Sequence, residues 1–447
     1  MTLVNTQNMA QQNRRRVVIT GMGAISPLGN SIASLWERLS SGKSGVDVLK
    51  SIPVDNFPVD IGGECNEFEG KIDDFGELDK KLKRNVKKGL KLMCREIQMG
   101  VAASQLAMAH SGLAEASLDP ARIGTMFGSD YIITNPAEFA KGIAQCIGEE
   151  SEFGFDQWAE KGLVNVEPTW LLKYLPNMPA SHVAIFNDLQ GPSNSLTVRE
   201  SSSNVAIGEA VTIIRRGSAD AFVTGSTGSR IHPLRTIHVC LQEQLADRNS
   251  AVAGGDASKA CRPFDRDRSG MVMGEGAGVM ILESLESAQA RSAKIHGEVI
   301  GYGSSAVTRS DGAADFRASL SNAIHLALNV AEVSADSIGH VQAHGIGSQR
   351  CDVEEAQAIA EHFPQTPVTA AKSYMGNLGA GSGMVESIAS VLSLENNHLL
   401  PILNCDSIDP ECKIRAAVSG ESPGDSLINL NVTPQGQASA VIIRRFV

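Results

Sequence analysis

Short apolar runs that favour β-strands alternate with longer segments of helical periodicity along almost the whole chain. The first such unit is the run VVITGMGAI, followed by the amphipathic segment SIASLWERLSSG. The last strand-like run, ASAVIIRRFV, ends the chain. Alternation of this kind is typical of proteins whose sheets are buried between layers of helices. The pattern therefore predicts an α/β fold.

The beginning and the middle of this alternation look alike, which indicates an internal duplication. A strand closed by a glycine turn opens each half, near residues 17–23 and again near residues 298–303. We expect two similar halves, residues 14–260 and residues 261–447. The polar stretch before them, residues 1–13, lacks the apolar core of a signal peptide and is expected to be a disordered tail.

Composition limits the classes of function. The chain has 447 residues and is 42% hydrophobic, which is enough to bury a large core. Its 39 Lys and Arg against 50 Asp and Glu give a formal net charge of −11, which argues against generic nucleic-acid binding because phosphate contacts need a basic surface. The eight cysteines have no CxxC spacing, so we expect neither a metal site nor disulfides, and a reducing cytoplasm is the expected compartment. No run approaches the roughly 18 apolar residues of a membrane span, so we expect no membrane insertion.

Three ordered groups of motifs carry a family signature. They are VVITGMGAISPLG near the start of the fold, LPNMPASHVAI with GPSNSL in the middle, and RPFDRDRSGMVMGEGAGVMILE at residues 262–283. In this order they resemble the β-ketoacyl-acyl-carrier-protein synthases, the elongating condensing enzymes of the thiolase superfamily, over nearly all of residues 14–447. The resemblance implies a five-layered αβαβα fold made of two duplicated halves. It also implies acyl and malonyl thioesters of acyl carrier protein as substrates, a role in fatty-acid or polyketide biosynthesis, and no cofactor.

The family's nucleophile is missing from this chain. The family needs a cysteine at the start of a buried helix, where the helix dipole stabilises the thiolate that accepts the acyl chain. In GPSNSLTVRESSS that position falls on Glu200, which follows Arg199. A carboxylate cannot replace the thiolate, because its acyl adduct would be a labile mixed anhydride. Ordinary condensation through an acyl-enzyme is therefore not expected.

One catalytic histidine and its supporting residues are retained in the resemblance. The segment VQAHGIGSQRCDVEEA places His344 at a strand end, where the family's catalytic histidine lies. Asp352 and Glu355 follow at the family's spacing, and Lys372 matches the buried lysine that supports the histidine through this acidic pair. The resemblance therefore implies a site feature rather than an isolated structural histidine.

Other positions depart from the family pattern. The family's threonine and serine after the histidine are replaced by Ile346 and Gly347. Asn377 aligns with the second histidine, and the related initiating synthases use a His and Asn pair, so decarboxylation is not excluded by this change. The glycine-rich loop with a gating phenylalanine is replaced by NVTPQGQ, with Thr433 or a neighbour in the gate position. Because Pro434 stiffens this loop, we do not expect the family's gating of the acyl chain.

A basic segment stands out by its charge. Between residues 80 and 95 there are eight Lys and Arg residues, while apolar residues recur close to a 3.6-residue period. The pattern predicts one helix with a basic outer face. This face is either simply solvated or a docking surface for an acidic acyl carrier protein. The docking interpretation assigns the contact to Lys80, Arg84, Lys87, Lys88 and Lys91.

The missing thiol leaves three hypotheses. In the first, the protein is an enzyme of altered chemistry that uses Glu200 and His344 on an acyl or malonyl thioester, for example in decarboxylation. In the second, it is a non-catalytic partner of an active synthase, similar to a chain-length factor. In the third, it is a scaffold in which Glu200 forms an internal ion pair with Arg199 or with protonated His344. An open acyl tunnel reaching Glu200 would favour the enzyme, and bulky residues filling it would favour the scaffold.

The resemblance also predicts how the chain assembles. In this family a dimer forms by pairing of the strand just before the nucleophile, here SNSLTV, across a two-fold axis. We therefore expect a homodimer, or a heterodimer with a cysteine-bearing paralogue.

Overall fold

A computed structural model describes residues 15–55, 57–148, 151–250 and 252–447. The expected tail, residues 1–13, lies outside the described residues. The strands are β1 (Val17–Ile25), β2 (Asp47–Val48), β3 (Ile61–Gly63), β4 (Ile123–Ser129), β5 (Ser193–Thr197), β6 (Ala221–Ser229), β7 (Met273–Ser284), β8 (Gly297–Ala306), β9 (His340–Gln342), β10 (Pro367–Thr369), β11 (Arg415–Ala416), β12 (Ser426–Val432) and β13 (Gln437–Arg444). The helices are α1 (Ile32–Ser40), α2 (Lys80–Gly89), α3 (Arg95–Ser111), α4 (Ala137–Ala144), α5 (Met178–Asn187), α6 (Ser202–Arg215), α7 (Pro233–Gln242), α8 (Leu285–Ala290), α9 (Phe316–Ala331), α10 (Gln349–His362), α11 (Lys372–Met375) and α12 (Ser382–Asn396).

The sheet topology contains the same arrangement twice. The strands follow the order β11-β10-β9-β12-β13-β8-β1-β7-β6-β4-β5, and β2 and β3 form a side branch on β7. The five main strands of the first half are β1, β4, β5, β6 and β7, and those of the second half are β8, β9, β10, β12 and β13. When each set is numbered from one to five along the chain, both sets lie across the sheet in the order 3-2-4-5-1. In both halves the second strand is parallel to the third and the fourth, and the fifth is antiparallel to the fourth and the first.

This repeated topology confirms the predicted duplication of the fold. The first set of five strands ends at Ser284 and the second begins at Gly297. The division predicted from the sequence falls earlier, after residue 260. The two sets meet where β1 pairs with β8 at Val18 and Ile19.

The inner strands β1, β4, β6, β7 and β12 are buried on both faces, and their alternate residues pack in different cores. In β7, Ala277, Val279 and Ile281 pack in an outer core with α3. The intervening Met280 and Leu282 pack in a central core with α6 and α12. A third core joins the second half of the sheet to α9 and α10. The layers are therefore helix, sheet, helix, sheet and helix, which confirms the predicted five-layered fold.

The central layer positions the site. Helices α6 and α12 both connect the third and fourth strands of their halves, so they are equivalent elements of the duplication. Each is preceded by a short 3-10 turn, Arg199–Ser201 before α6 and Gly379–Gly381 before α12. These two turns contact each other in the middle of the molecule.

The basic segment differs from its prediction. Instead of one helix up to Arg95, α2 ends at Gly89, a 3-10 turn follows, and α3 begins at Arg95. At Gly89 the chain lies against Phe186, and a Cβ there would come within 2.6 Å of the Phe186 ring. Arg95 turns inward, where its Nη2 lies 2.7 Å from Glu275 Oε1. The single helix was therefore wrong, because tertiary contacts at both ends of the turn interrupt it.

Candidate functional site

Glu200 lies in the turn between the edge strand β5 and the buried helix α6. Its side chain is only 1% exposed. The preceding residue, Arg199, has a φ of 49°, in the left-handed region that residues other than glycine seldom adopt. The turn continues into α6 through the hydroxyl of Ser202, which accepts the N–H of Val198 at 2.9 Å. The carboxylate is therefore presented at the start of α6, where the resemblance places a nucleophile.

Two arginines and a second glutamate surround this carboxylate. Arg230, which follows β6, forms an ion pair with Glu200 Oε1, and Arg199 Nε lies 3.6 Å from Glu200 Oε2. The same two arginines bind Glu243, at 2.8 Å from Arg230 Nη1 and 2.9 Å from Arg199 Nη2. We call these four residues the charge quartet. It holds two positive and two negative charges, so its net charge is zero.

The four charged side chains of the quartet have little access to water, so they neutralise one another through ion pairs. Arg230 is 2% exposed, and burial is the main reason that its pKa lies below the usual value. Burial also opposes ionisation of Glu243, but the guanidinium groups of Arg230 and Arg199 outweigh it and lower the pKa of that carboxyl. Removing one member of such a buried pair costs about 3–5 kcal/mol, because the other charge stays buried. Glu200 is thus held as part of a mutually dependent set.

His344 follows β9 and is buried. Its Nδ1 lies 3.3 Å from Lys372 Nζ, and Lys372 also forms an ion pair with Glu386. An ammonium can only donate, so Nδ1 accepts and Nε2 carries the ring proton. Burial, followed by the positive charges of Lys372 and Arg230, holds the pKa of His344 well below its usual range. The ring is therefore a neutral hydrogen-bond donor and not an acid.

The acidic pair on α10 holds the loop around His344. Glu355 accepts the backbone N–H groups of His344 at 2.6 Å and Gly345 at 2.8 Å. Asp352 accepts the N–H of Gly347 at 3.1 Å and forms a longer ion pair with Arg268 at 3.6 Å. Burial raises the pKa of Glu355 to about 8 and that of Asp352 to about 6. The pair thus binds the backbone, whereas Lys372 contacts the histidine ring directly.

Asn377 is oriented by the turn before α12. Its Oδ1 accepts the N–H of Gly379 at 3.0 Å and the hydroxyl of Ser382 at 3.1 Å. The amide nitrogen therefore points the other way, to Met271 Sδ at 3.0 Å and Glu200 Oε1 at 3.4 Å. Asn377 is a fixed donor beside the carboxylate.

The segment that the resemblance places at the family's gate, residues 431–437, includes a tight turn between β12 and β13. Thr433 donates its N–H to Gln437 O at 2.8 Å, and Gly436 donates to Thr433 O at 2.9 Å. Gly436 has a φ of 84°, which favours glycine. Arg199 Nη1 reaches the turn and donates to Gln435 Oε1 at 3.4 Å. The turn is thus tied to the charge quartet.

A cavity of about 220 Å³ brings the predicted residues together. Its wall contains Glu200, His344, Asn377, Thr433 and Pro434, with Glu243, Met271, Phe316, Arg350 and Cys351 among their neighbours. The supporting residues Lys372, Asp352 and Glu355 are buried behind this wall. Two neutral donors, His344 and Asn377, thus line the cavity beside a carboxylate that is already ion-paired, and Asn377 already donates to that carboxylate.

Sequence reasoning missed Arg230, Glu243 and Glu386. A buried Glu200 requires a counter-charge, and the serine- and glycine-rich run FVTGSTGSRIHP contains an arginine whose role the sequence left unexplained. That arginine, Arg230, was the one sequence feature that could have indicated the partner of Glu200. No local pattern marked Glu243, which follows α7, or Glu386, which lies inside α12.

The basic residues singled out from the sequence lie outside the cavity, on the surface of α2 and the turn after it. Lys80, Arg84, Lys87, Lys88 and Lys91 are all exposed. Their neighbour Lys83 is bound to Asp73 at 3.1 Å. The structure brings these residues together as one positive surface but does not bring them to Glu200.

A second surface includes β5, the last strand of the sheet, and the segment that precedes it in the chain. The residues of β5 are exposed or half-buried. Between β4 and the end of α5 several large apolar side chains are exposed, and Phe155 at 80%, Val164 at 74% and Ile185 at 71% are the most exposed of them. The full set is Tyr131, Ile143, Ile147, Phe153, Phe155, Leu163, Val164, Leu171, Leu172 and Ile185. An open edge and clustered apolar residues are typical of a protein interface.

Residues 14–288 match the family model described as beta-ketoacyl synthase, N-terminal domain, and residues 296–406 match that of the C-terminal domain. The 3-oxoacyl-[acyl-carrier-protein] synthase 2 of Staphylococcus aureus (strain COL) is 32% identical over 405 residues, 90% of each chain. The Synechocystis sp. protein of the same name is 32% identical over 415 residues, 91% of this chain and 92% of the relative.

Solved structures share the fold along almost the whole chain. A beta-ketoacyl synthase from Burkholderia phymatum STM815 has a TM-score of 0.81 at 26% identity and covers 97% of this chain and 100% of its own. The ishigamide ketosynthase/chain length factor has a TM-score of 0.80 at 24% identity with the same coverage. Among the described residues, no helix has the length and apolar character needed to cross a membrane.

Proposed function

Because the chain belongs to the β-ketoacyl synthase family, we propose that it is a non-condensing subunit that pairs with a cysteine-bearing synthase of the same fold. One observation carries this proposal: the side chain at the nucleophile position is a buried glutamate bound to two arginines. A carboxylate held in this way neither carries an acyl group nor is free to exchange protons with a substrate.

No other thiol replaces the missing one at the cavity wall. Cys351 lines the cavity, but burial and the carboxylates of Glu355 and Asp352 raise its pKa well above the usual value. The thiolate is the reactive form of cysteine. Cys351 is therefore held as an unreactive thiol, which supports a role without an acyl-enzyme.

The surface around β5 supports a partner of the same fold. An edge strand with unpaired backbone groups and clustered apolar side chains favours pairing with a second chain. A cysteine-bearing synthase would supply the chemistry that this chain lacks. The protein would then contribute to its partner's stability and to the shape of the shared substrate path.

The exposed basic surface supports docking of an acyl carrier protein. The Staphylococcus aureus and Synechocystis relatives are named as synthases that act on an acyl-carrier-protein substrate. An acidic carrier would be attracted by the exposed lysines and Arg84 on α2. We assign this docking to Lys80, Arg84, Lys87, Lys88 and Lys91.

A second candidate function is decarboxylation of a malonyl thioester without condensation. The cavity favours it, because His344 and Asn377 both line a space that reaches Glu200. Two such donors would stabilise the enolate oxygen that develops as carbon dioxide leaves. Against it, Glu200 is occupied by the charge quartet, and the Asn377 amide already donates to Glu200 and Met271.

Affinity purification of the full chain from its native cell tests the proposal. We expect it to recover a paralogue that carries the family cysteine, whereas an exclusively homodimeric complex would contradict the pairing. The purified chain alone, incubated with malonyl and acyl carrier protein and analysed by mass spectrometry, should give neither condensation nor an acyl adduct. Decarboxylation that is lost in His344→Ala would support the second candidate instead. Its survival in Glu200→Gln would show that Glu200 does not take part.

A further inference from the structure

The charge quartet joins two elements that reach the site from different directions. Arg199 and Glu200 lie in the turn before α6, whereas Arg230 precedes α7 and Glu243 follows it. Each arginine contacts both glutamates, so no pair within the set is independent. The residues that flank α7 therefore place one positive and one negative charge, Arg230 and Glu243, beside the turn that contains Arg199 and Glu200.

We propose that Arg230 is the positioning residue that commits position 200 to an anionic side chain. Its guanidinium is 3% exposed, so it cannot reach water if its partner is lost. Its Nε is buried without a hydrogen-bond partner, which leaves it dependent on ion pairing. Such a group requires compensating negative charge nearby. With Glu243 shared between two arginines, position 200 must supply the second anion.

Arg199 extends this requirement to the turn over the cavity. It contacts Glu200 and Glu243 and also donates to Gln435, in the turn between β12 and β13. Its left-handed backbone is unfavourable for a side chain of this size. The quartet thus keeps a strained residue in place and holds the turn against the cavity.

This inference rests on the proposed function in one respect: Glu200 is a structural group and not the reacting one. Its distinctive consequence is a dependence on charge balance. Losing either Glu200 or Arg230 leaves one uncompensated charge in a buried site. Losing both leaves the pair of Arg199 and Glu243, which is neutral.

Four variants of the full chain separate charge balance from simple loss of contacts. They are Glu200→Gln, Arg230→Met, the matched double Glu200→Gln/Arg230→Met, and the unmatched double Glu200→Gln/Glu243→Gln. The two doubles change the same number of residues but leave net charges of zero and plus two. Arg230→Lys is the conservative control, since it keeps the positive charge.

Melting temperature is the first measurement. We expect each single variant to lower it by roughly 3–5 °C. The matched double should lower it by clearly less than the sum of the singles, and the unmatched double by at least as much as the worse single. Arg230→Lys should retain most of the stability.

Iodoacetamide labelling of Cys351 on the folded protein is the second measurement, because this thiol lines the cavity. Labelling should be several-fold faster in the singles and the unmatched double than in the wild type and the matched double.

Additive losses in the matched double, or equal stability of the two doubles, would overturn the proposal. If Arg230→Met does not fold alone, recovery of folded protein on adding Glu200→Gln supports it, and failure of that rescue overturns it. These outcomes do not depend on capture of a partner, so the failure of this inference and that of the proposed function are distinguishable.

Discussion

At the scale of single residues, a carboxylate at position 200 requires charged neighbours that a thiol at this position would not require. A thiol of ordinary pKa is neutral and can be buried without a counter-charge, whereas an ionised carboxylate cannot. Arg230 and Arg199 meet that need, and Glu243 balances the excess positive charge they bring. The carboxylate of Glu200 is thus accompanied by three charged neighbours.

A thiol introduced at position 200 should be a reactive cysteine. In Glu200→Cys the new side chain would lie at the start of α6 and beside the guanidinium groups of Arg199 and Arg230, all of which favour a thiolate. We expect iodoacetamide to label it at neutral pH faster than the native cysteines, as measured by peptide mapping with mass spectrometry. Ser201→Cys is the matched control, because Ser201 is buried and its hydroxyl donates to Gln437 O at 2.8 Å. Labelling of the introduced thiol no faster than that of Cys351 would contradict the expectation.

At the scale of elements, tertiary contacts determine where α2 ends and α3 begins. The basic segment has the periodicity of one long helix, but Gly89 packs on Phe186 and Arg95 turns inward to Glu275. The break leaves α2 on the surface with its lysines exposed and sends α3 into the outer core. One stretch of sequence thereby serves two purposes, a charged surface and a buried layer.

The charged surface of α2 should determine carrier binding. Reversing two charges with Lys87→Glu/Lys88→Glu should weaken binding of an acyl carrier protein about tenfold at low salt, and the difference should shrink at high salt because exposed charges are screened. Fluorescence anisotropy of a labelled carrier measures both effects. Lys413→Glu, an exposed site in the second half, is the control. Equal affinity of the α2 variant and the control would remove α2 from the interface.

At the scale of the whole molecule, the duplication creates one buried site and leaves one open edge. The equivalent helices α6 and α12 begin side by side, which brings Glu200 and Asn377 together although they belong to different halves. On the first half, β5 ends the sheet, and large apolar side chains are exposed in the segment that precedes it. The architecture therefore provides both a cavity and the open edge through which we propose assembly.

Lysines on the edge strand should prevent this assembly. Asn194 and Thr197 are exposed in β5, and charged residues on an edge strand oppose strand pairing. We expect Asn194→Lys/Thr197→Lys to separate the complex with the cysteine-bearing partner into single subunits in size-exclusion chromatography with light scattering. Gln357→Lys/Gln365→Lys adds the same charge at exposed sites of the second half and should leave that complex intact. A complex that persists in the edge variant would contradict assembly through β5.

The sequence alone was sufficient for features that depend on local pattern. Strand and helix alternation predicted the buried sheets, because periodicity is a property of neighbouring residues. The family resemblance assigned Glu200, His344 and Asn377, and these three residues line one cavity. The same local pattern predicted one uninterrupted helix where the structure has two, because periodicity cannot show that Phe186 packs against Gly89.

Only the tertiary structure decided what Glu200 is bound to. Arg230 and Glu243 reach it because β6 and α7 carry the chain back to the turn before α6, and no local pattern records such a return. The proposed ion pair with Arg199 could be suggested from adjacency, but Arg230 could not. An ion pair depends on distances of a few ångströms between segments far apart in the chain, and those distances exist only once the layers have packed.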